Sequence, residues 1–412
     1  MPLFSIPLSG LTASSDALSV IANNLSNLNT VGYKDQATSF RDLFYSSFGT
    51  NGSGDPVQMG AGAAVQAVTT NFTGGSVETT GVPTDVAISG NGFFVTQNQG
   101  ALEFTRAGNF TVNTSGQLVT QDGQNVMGYP AANGVISGQG LGPLQLGQGQ
   151  VSPPSATTTI QQNTNLDASA AVGDTYSTPI TVYDSLGSSH VLTFQFTKTA
   201  SNAWSYQITL PAADTGGVGP PTVVANGNLT FNGNGTLTAP TTPVAGTIAG
   251  LADGASTMNF KWNLLDPSGN PTLTQVASAS STSATNQNGY TSGTLQNFTI
   301  GADGVIQGAF SNGQTLAIGQ IALASFANTQ GLERVGGNSY TSTLASGAAV
   351  IGTANTGGRG TLAGGALELS NVDISQEFTK LIVTQRGFEA NARVVTTFDQ
   401  ITQDTIALKP TQ

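Results

Sequence analysis

The chain has 412 residues, too many for one compact core, so two to four domains are expected. Its 11 basic residues, against 22 acidic ones, form no cluster, which argues against nucleic-acid binding and against an anionic membrane surface as a partner. The absence of cysteine excludes disulfides, thiolate catalysis and Cys-ligated metals, and the low charged fraction of 8% suits dense packing against copies of the same chain.

The N-terminus predicts neither a cleaved signal peptide nor a membrane span. Residues 1–6 contain no basic residue and begin no long apolar run. No stretch of the chain approaches the roughly 20 apolar residues that a membrane-spanning helix needs, so no membrane insertion is expected. The protein therefore either stays inside the cell or leaves it by a route that cleaves no signal.

The first predicted element is an amphipathic helix over residues 8–30, roughly 35 Å long. Its apolar residues follow a heptad with alternating spacings of four and three, interrupted at Ser14. Several asparagines make this helix marginal on its own, so it is expected to need a partner. The apolar seam of this helix consists of Leu11, Leu18, Ile21, Leu25 and Leu28.

Between the two ends of the chain, the apolar pattern changes to the alternation typical of β-strands. Short apolar segments flank turns rich in Gly, Asn and Asp, a pattern that predicts β-hairpins. The four clearest predicted hairpins lie over residues 86–95, 110–119, 229–237 and 298–306.

A second, longer helix is predicted near residues 373–408, with Asp373 or Ser370 as its N-cap and Pro410 after its end. Gly387 lies inside this helix and indicates either a close approach of another helix or a kink. The seam of this helix consists of Ile374, Phe378, Leu381, Phe388, Ala392 and Val395. A second stripe beside the seam consists of Val394, Phe398, Ile401 and Leu408.

The two terminal helices carry the main functional signal of the sequence. Their apolar stripes have little globular surface to cover them, and exposed stripes of that size are a liability in a monomer. The sequence therefore predicts that the helices form a self-assembly seam, with an ordinary helix pair inside one chain as the alternative.

The predicted fold is mainly β with α-helical termini, arranged as nested domains. Gly-rich linkers between the domains are expected to let the helical layer and the β domains shift relative to each other. The predicted parts are a terminal helical coiled-coil layer (1–33 and 368–412), linkers (34–70 and 355–367), a discontinuous β core domain (71–148 and 286–354) and an inserted outer domain resembling a β-barrel or sandwich (149–285).

The sequence predicts no catalytic, cofactor-binding or metal site. His190 is the only histidine, and without a second His or Cys it is predicted to be a half-exposed strand residue, not a base or metal ligand. No Gly-x-Ser-x-Gly elbow supplies a serine for a catalytic triad, and residues 357–360 lack the Gly-Lys-Ser/Thr ending of a phosphate-binding loop. A glycosidase-like pair of scattered acids is still open to assembly by the fold.

Four motifs resemble the signatures of the flagellar rod and hook axial proteins. Residues 22–34, Ala-Asn-Asn-Leu-Ser-Asn-Leu-Asn-Thr-Val-Gly-Tyr-Lys, resemble the N-terminal signature, and residues 369–373 followed by 384–391 resemble the C-terminal one. Residues 85–94 and 105–110 resemble the shared core β motifs. The positions that match the terminal signatures are Asn23, Asn24, Asn27, Gly32, Asn371, Val372, Asp373, Gln385, Arg386 and Asn391.

Residues 181–187 and 285–328 resemble the hook members of this family in particular. The resemblance implies a structural subunit, without enzyme activity or cofactor, that polymerises into a curved extracellular tube and acts as a universal joint between rod and filament during swimming. It also implies export through the flagellar type III apparatus without a cleaved signal. The implied partners are many copies of the chain itself, the neighbouring rod protein, the hook–filament junction protein and the hook cap.

Two other functions are alternatives to a hook subunit. A distal rod protein has similar terminal signatures, but distal rod proteins are shorter and lack so large an inserted β domain. A secreted β-rich carbohydrate-binding protein or hydrolase, a different class, would fit the composition rich in Gly, Asn and Thr. That second alternative leaves the heptads at both ends of the chain unexplained.

Overall fold

The mainly β fold with helical termini that the sequence predicts is confirmed by a computed structural model of the chain. Leu408 and Pro410, which the sequence analysis assigns to the second stripe and to the helix end, lie outside the described residues, as do the outermost positions of the predicted terminal domain. The structure describes residues 5–44, 46–136, 140–147 and 149–407.

The chain folds into two units. The first unit takes its described residues from three stretches, 1–148, 298–308 and 317–412. The second unit takes them from residues 149–297 and 309–316. The predicted division into four nested parts, with boundaries at the linkers, stays a prediction.

Two helices, α1 (Ser5–Ser26) and α2 (Ile374–Ala407), occupy the ends of the described chain. α1 ends at Ser26, not at residue 30 as predicted, because Asn27 closes a turn: its Nδ2 donates to the carbonyl oxygen of Asn23 at 2.9 Å. At the start of α2, Asp373 is a cap as predicted, since its Oδ1 accepts from the backbone N–H of Ser375 at 2.8 Å.

α1 and α2 pack antiparallel, with Gly10 opposite Asn391 and Ser14 opposite Gly387. A Cβ added at Gly10 would lie 2.7 Å from Asn391 Nδ2, so a larger residue there would force the Asn391 side chain to move. A Cβ at Gly387 would lie 3.8 Å from Ser14 Oγ, an ordinary contact, and α2 runs through Gly387 without a break. The tighter contact between the two helices is therefore at Gly10. At Gly387, where the sequence analysis allowed a close approach or a kink, the contact is an ordinary one.

Short strands make up most of the rest of the described chain. In chain order they are β1 (Gln36–Asp42), β2 (Ser46–Thr50), β3 (Pro56–Met59), β4 (Ala63–Thr70), β5 (Val77–Thr79), β6 (Val86–Ser89), β7 (Phe93–Asn98), β8 (Ala101–Thr105), β9 (Thr111–Val112), β10 (Leu118–Val119), β11 (Asn125–Ile136), β12 (Gly142–Pro143), β13 (Val151–Ser152), β14 (Thr159–Asp167), β15 (Thr175–Tyr183), β16 (Ser189–Ala200), β17 (Ala203–Leu210), β18 (Thr222–Phe231), β19 (Leu237–Ala239), β20 (Val244–Ile248), β21 (Met258–Asn263), β22 (Leu273–Val276), β23 (Ser281–Gln287), β24 (Gly293–Ile300), β25 (Val305–Phe310), β26 (Thr315–Ser325), β27 (Glu333–Gly336), β28 (Ser339–Thr341), β29 (Val350–Thr353), β30 (Thr361–Gly364) and β31 (Ala366–Glu368). Two 3₁₀ turns cover Ala212–Thr215 and Thr329–Gly331.

In the first unit, the main sheet has the order β26-β11-β7-β8-β28-β27. Aromatic side chains fill its core: Phe93 lies 5.7 Å from both Phe326 and Tyr340, and Phe104 lies 4.8 Å from Phe326, measured between ring centroids. These edge-on contacts are the geometry that aromatic quadrupoles favour. They give the unit a rigid centre to which the chain ends are attached.

The segments predicted to be Gly-rich linkers contain paired strands. β1 pairs antiparallel with β4 and β2 with β3, so the predicted linker over 34–70 is largely a β-ribbon. In the predicted linker over 355–367, β30 pairs with β6, and β31 pairs with β5. The structure differs from the prediction because the glycines of these segments lie mostly in the turns and connections, where they do not interrupt the pairing of the strands.

The second unit is a sandwich of two five-stranded sheets. One sheet is an antiparallel meander, β15-β16-β17-β18-β19, and the other has the order β20-β21-β14-β22, with β23 also on β14. Buried residues of both sheets, among them Phe194, Trp204 and Trp262, share one core. Of the two forms predicted for the insert, the described residues form the sandwich, because both sheets end in open edges and do not close into a barrel.

Three of the four predicted hairpins form, as β9–β10, β18–β19 and β24–β25. The hairpin predicted over residues 86–95 is wrong. β6 pairs with the distant β30, and β7 pairs with β8. Local alternation identified these strands, but the partner of β6 comes from more than 270 residues away and is set by the tertiary fold.

Two buried glutamines of the second unit should change its stability in opposite directions when each is replaced by Met. Gln162 is fully buried, and within the described residues neither atom of its amide has a partner. The Gln275 amide instead accepts from Trp204 Nε1 at 3.1 Å and donates to Asn202 Oδ1 at 3.0 Å. Gln162→Met is expected to stabilise the unit by about 1–3 kcal/mol and Gln275→Met to destabilise it by about the same amount.

Urea unfolding followed by tryptophan fluorescence checks this prediction, since Trp204 and Trp262 both lie in the second unit. A loss of stability in Gln162→Met as large as that in Gln275→Met would show that Gln162 has hydrogen-bond partners after all.

Candidate assembly site

The two chain ends meet the β core of the first unit at a buried charge cluster, here called the junction, formed by Lys34, Arg106 and Glu368. Lys34 Nζ lies 2.6 Å from Glu368 Oε1, and Arg106 Nη1 lies 3.2 Å from Glu368 Oε2. The side chain of Lys34 is 0% exposed and that of Glu368 is 1% exposed. Two cations therefore share one carboxylate out of contact with water.

Backbone groups complete the junction. Lys34 Nζ donates to the carbonyl oxygen of Thr73 at 2.7 Å, and the N–H of Gly75 donates to Glu368 Oε1 at 2.9 Å. Burial lowers the pKa of Lys34, and the hydrogen bond to Glu368 opposes that shift. Because Lys34, Arg106 and the N–H of Gly75 all bond the Glu368 carboxylate, its loss would leave two buried cations without their counter-ion and one N–H without this acceptor.

Asn24 ties α1 to α2 beside the junction. Its Nδ2 donates to the carbonyl oxygen of Gln36 at 2.8 Å and to Glu377 Oε2 at 3.1 Å. Its Oδ1 accepts from the N–H of Gln36 at 3.0 Å and from Tyr33 Oη at 3.3 Å. Glu377 also pairs with Lys380 Nζ at 2.6 Å. One buried amide thus connects α1, the segment that leaves it and the first turn of α2.

Gly32 and Asn371 shape the chain on either side of the junction. Gly32 has a φ of +66°, and a Cβ there would lie 2.6 Å from the backbone carbonyl of Arg106, so no other residue fits. Its N–H donates to the carbonyl oxygen of Glu368 at 2.7 Å. Asn371 accepts from the N–H of Asp35 at 2.8 Å and donates to the carbonyl oxygen of Asn71 at 2.9 Å.

The structure thus brings Asn24, Gly32 and Asn371 of the motif set together around the junction, and Val372 and Asp373 follow Asn371 directly along the chain. Asn23 reaches the same network, since its Nδ2 donates to Tyr33 Oη at 3.3 Å, and the other four motif residues lie apart from it. Asn23 and Asn27 shape the last turn of α1, Asn391 packs against Gly10, Gln385 is exposed, and Arg386 forms an exposed pair with Glu389.

Sequence reasoning missed the charges of the junction and Glu377. Lys34 and Arg106 stand inside the quoted motifs, but Glu368 and Glu377 lie just outside the residues singled out. The signal that could have identified them is the scarcity of charged residues. Only 22 acidic and 11 basic residues occur in 412, so each charged side chain inside a motif is a candidate for a buried pair.

The junction also opposes the shift between helices and β core that flexible linkers would allow.

The eleven predicted seam residues fall into three groups by exposure. Ile21 is buried; Leu11, Leu18, Leu25, Leu28, Leu381, Ala392 and Val395 are half-buried; Ile374, Phe378 and Phe388 are exposed. Small or polar residues, including Ala13, Ala17 and Asn24, occupy the fully buried stripe of α1. The pairing within the chain therefore leaves much of the predicted seam uncovered.

Two apolar ridges flank the stripe of α2 that faces α1. Glu377, Thr384 and Asn391 mark that stripe. At 100° per residue, the Val394 ridge lies roughly 90° to one side of this stripe, and the members of the Phe378 ridge lie between about 40° and 120° to the other side. The Phe378 ridge consists of Ile374, Phe378 and Phe388, and the Val394 ridge consists of Val383, Val394 and Ile401.

Further apolar surface lies near these ridges. An open groove of about 310 Å³ between α1, α2 and β1 is lined by Ala17, Ile21, Phe40 and Val383 among others. Phe44, just after β1, is 94% exposed. At the end of α2, residues 399–407 are all exposed, including Ile401 and Ile406. Apolar surface of this extent on a protein is typical of an interaction site.

His190, predicted to be half-exposed, is buried, with 7% of its surface accessible. Ligand atoms of Asp184, His190 and Asp253 lie within 4.8 Å of one another. Both ring nitrogens of His190 already face carboxylates, at 3.1 and 3.2 Å, and this arrangement favours the doubly protonated ring, which has no lone pair for a metal.

In the described residues no helix has the length and apolar character to cross a membrane.

Four family models match stretches of the chain. They are the flagella basal body rod protein model over residues 6–34, the flagellar hook protein FlgE/F/G D1 domain over 87–167, the flagellar basal body protein FlaE D2 domain over 154–290 and the flagellar basal body rod FlgEFG protein C-terminal model over 363–408.

Full-length relatives are similar along nearly the whole chain. The flagellar hook protein FlgE of Salmonella typhimurium is 36% identical, with 98% of this chain and 100% of the relative covered. That of Treponema pallidum is 34% identical, with 97% and 98% covered. Among solved structures, the crystal structure of Helicobacter pylori flagellar hook protein FlgE2 has a TM-score of 0.49 and 15% identity, covering 69% of this chain and 98% of that one.

Proposed function

Because the chain belongs to the flagellar hook protein family and is a structural subunit of the bacterial flagellar hook, we propose that it polymerises through its terminal helices into a curved tube. The tube would lie outside the cell and act as a universal joint that passes torque from rod to filament. Export without a cleaved signal belongs to the same proposal. The proposal that the chain polymerises through its helices is supported by the apolar surface that the helix pair leaves exposed.

The observation that carries the proposal is the position of the two ridges on α2. They lie on opposite flanks of the α1-facing stripe, so one subunit presents two different apolar surfaces to its surroundings. Contacts between unlike surfaces do not close into a pair; they generate rings when the rotation closes and open helical assemblies when it does not. We therefore propose that the Phe378 ridge of one copy packs near the Val394 ridge of the next.

In this proposal the eleven seam residues have different roles. Ile21 supports the helix pair within the chain, and the exposed Ile374, Phe378 and Phe388 contact a neighbouring copy. The half-buried seam residues complete the edges of both contacts. The groove lined by Phe40 and Val383 is a receptor for an apolar side chain of the neighbour.

The junction supplies the mechanical connection in this proposal. Its buried charges and the Asn24 amide join both helices to the β core of the first unit. A load applied to the helices would therefore pass directly into that core. The motif positions Gln385 and Arg386 are exposed on α2 and are available to a neighbour, whether another copy or a rod, hook–filament junction or cap protein.

The proposal includes no catalytic step and no cofactor. The rod, hook–filament junction, cap and export proteins are its proposed partners, supported by the family to which the chain belongs. A distal rod protein is the less favoured alternative, since relatives named as hook proteins match the chain over nearly its full length.

The end of α2 gives a direct test of assembly through the helices. Replacing the exposed Ile401 and Ile406 together with Ser removes apolar area without changing a charge. If these residues are buried between copies, each contributes about 1–2 kcal/mol, so the critical concentration for polymerisation should rise at least roughly tenfold.

Sedimentation and negative-stain microscopy measure this effect, with a Gln403→Ser and Thr405→Ser double variant on the same segment as the control. Polymerisation of the Ile401/Ile406 variant at the control's critical concentration would remove the end of α2 from the assembly site.

A further inference from the structure

Three loops of the second unit meet at the chain's single histidine. His190 is the second residue of β16, and its Nε2 lies 3.2 Å from Asp184 Oδ2 in the turn that precedes the strand. Its Nδ1 lies 3.1 Å from Asp214 Oδ2 in the 3₁₀ turn after β17. The third loop supplies Asp253, whose carboxylate lies within 4.8 Å of both His190 and Asp184.

The acidic groups around the ring differ in burial. Asp184 is 0% exposed, and Asp214 is 27% exposed. Asp184 Oδ1 accepts from the N–H groups of Leu186 and Ser188, and its Oδ2 lies against His190 Nε2. Asp184, Asp214 and Asp253 are the titratable groups facing the imidazole in the described residues, and none of them is a cation.

This geometry fits a doubly protonated ring. An imidazolium has two N–H donors, one for each facing carboxylate, whereas neutral imidazole has one donor and would turn a lone pair toward the other carboxylate. Burial by itself opposes protonation, but the hydrogen bonds to Asp184 and Asp214 outweigh it and raise the pKa of His190 above 6.5.

We propose that His190 is a pH-sensitive clasp that holds the three loops together when its ring is protonated and releases them when the ring loses its proton. In the protonated state, one cation bridges carboxylates from separate loops. In the neutral state, three carboxylates face each other across a ring with a single donor, and their repulsion separates the loops.

The pH range follows from the direction of the shift. A group whose pKa is higher in the folded than in the unfolded state contributes its full stabilisation below the unfolded value, here about 6.5. That stabilisation is lost as the pH rises through the folded pKa. The clasp is therefore closed below about pH 6.5 and opens as the pH rises through the folded pKa of His190.

Two backbone N–H groups that donate hydrogen bonds between the loops report on the clasp. The N–H of Ala252 donates to the carbonyl oxygen of Asp214 at 2.9 Å, and the N–H of Ser256 donates to Ser185 Oγ at 3.0 Å. A matched control lies in the same unit: Asp266 Oδ1 holds the N–H groups of Ser268 and Asn270 at 2.9 and 2.8 Å in a similar turn.

The test is NMR of the full, untagged chain, in which one histidine gives one set of imidazole signals. We expect a titration midpoint above 6.5 that moves down in Asp214→Asn. We also expect the hydrogen-exchange protection factors of Ala252 and Ser256 to fall at least tenfold between pH 6.5 and 9. Those of Ser268 and Asn270 should stay unchanged.

His190→Gln separates the clasp from general alkaline loosening. Its Ala252 and Ser256 amides should be weakly protected at both pH values, with less than a threefold change between them. The proposal is overturned if the variant shows the same fall in protection as the native chain, or if the midpoint is 6.5 or lower. A shift of the imidazole signals on addition of Zn²⁺ at pH 6.5 would overturn it too, because it would identify a metal site.

Discussion

Replacing Glu368 with Gln is expected to lower the unfolding free energy of the first unit by about 3–5 kcal/mol. Lys34 and Arg106 share this carboxylate in the fully buried junction, at 2.6 and 3.2 Å. Glutamine keeps the size of the side chain but removes its charge, so two buried cations lose their counter-ion. Urea unfolding followed by circular dichroism at the helix band measures the change, because both helices belong to the first unit.

Glu389→Gln is the matched control for this prediction. Glu389 also pairs with an arginine, Arg386, at 3.1 Å, but both side chains are more than half exposed. Water screens such a pair, so its loss should change stability by no more than about 0.5 kcal/mol. Similar effects of the two substitutions would contradict the view that the junction anchors the helices to the core.

Replacing Phe378 with Asp is expected to abolish polymerisation at concentrations where the native chain assembles. The Phe378 side chain is 50% exposed in the single subunit. If a neighbouring copy covers it, the substitution removes the burial of an aromatic ring and places a charge in an apolar contact. The combined loss exceeds about 2.7 kcal/mol, which corresponds to a rise in critical concentration of more than roughly 100-fold.

Light scattering and negative-stain microscopy measure this loss, and Gln400→Glu is the control, since it adds one negative charge on the side of α2 that points away from α1. Circular dichroism checks that the Phe378→Asp subunit keeps its helices. Normal polymers from Phe378→Asp would remove the Phe378 ridge from the assembly site.

Mixing two blocked variants tests whether the two ridges contact each other. Phe378→Asp leaves the Val394 ridge intact, and Val394→Asp leaves the Phe378 ridge intact. An equimolar mixture should give dimers by analytical ultracentrifugation, because one good pair of ridges remains, but no tubes. Each variant alone should stay monomeric. Dimers from either variant alone would instead indicate contacts between like surfaces.

The sequence by itself determined the helical ends, the β interior and the absence of cysteine chemistry. Heptad spacing around Leu11, Leu18 and Phe388 and the Asp373 cap are local patterns, and local geometry enforces them whatever the rest of the chain does. The hairpin between β18 and β19 is local in the same sense, since a short turn joins its strands.

The tertiary structure alone decided which residues meet across long separations. Glu368 reaches Lys34 across 334 positions, and β6 pairs with β30, not with β7, which follows it directly along the chain. It also decided that Ala13 and Ala17 are among the buried positions of α1, while Phe378 stays exposed. The physical reason is that periodicity shows which residues share a face, whereas the partner of each face depends on burial and charge compensation over the whole fold.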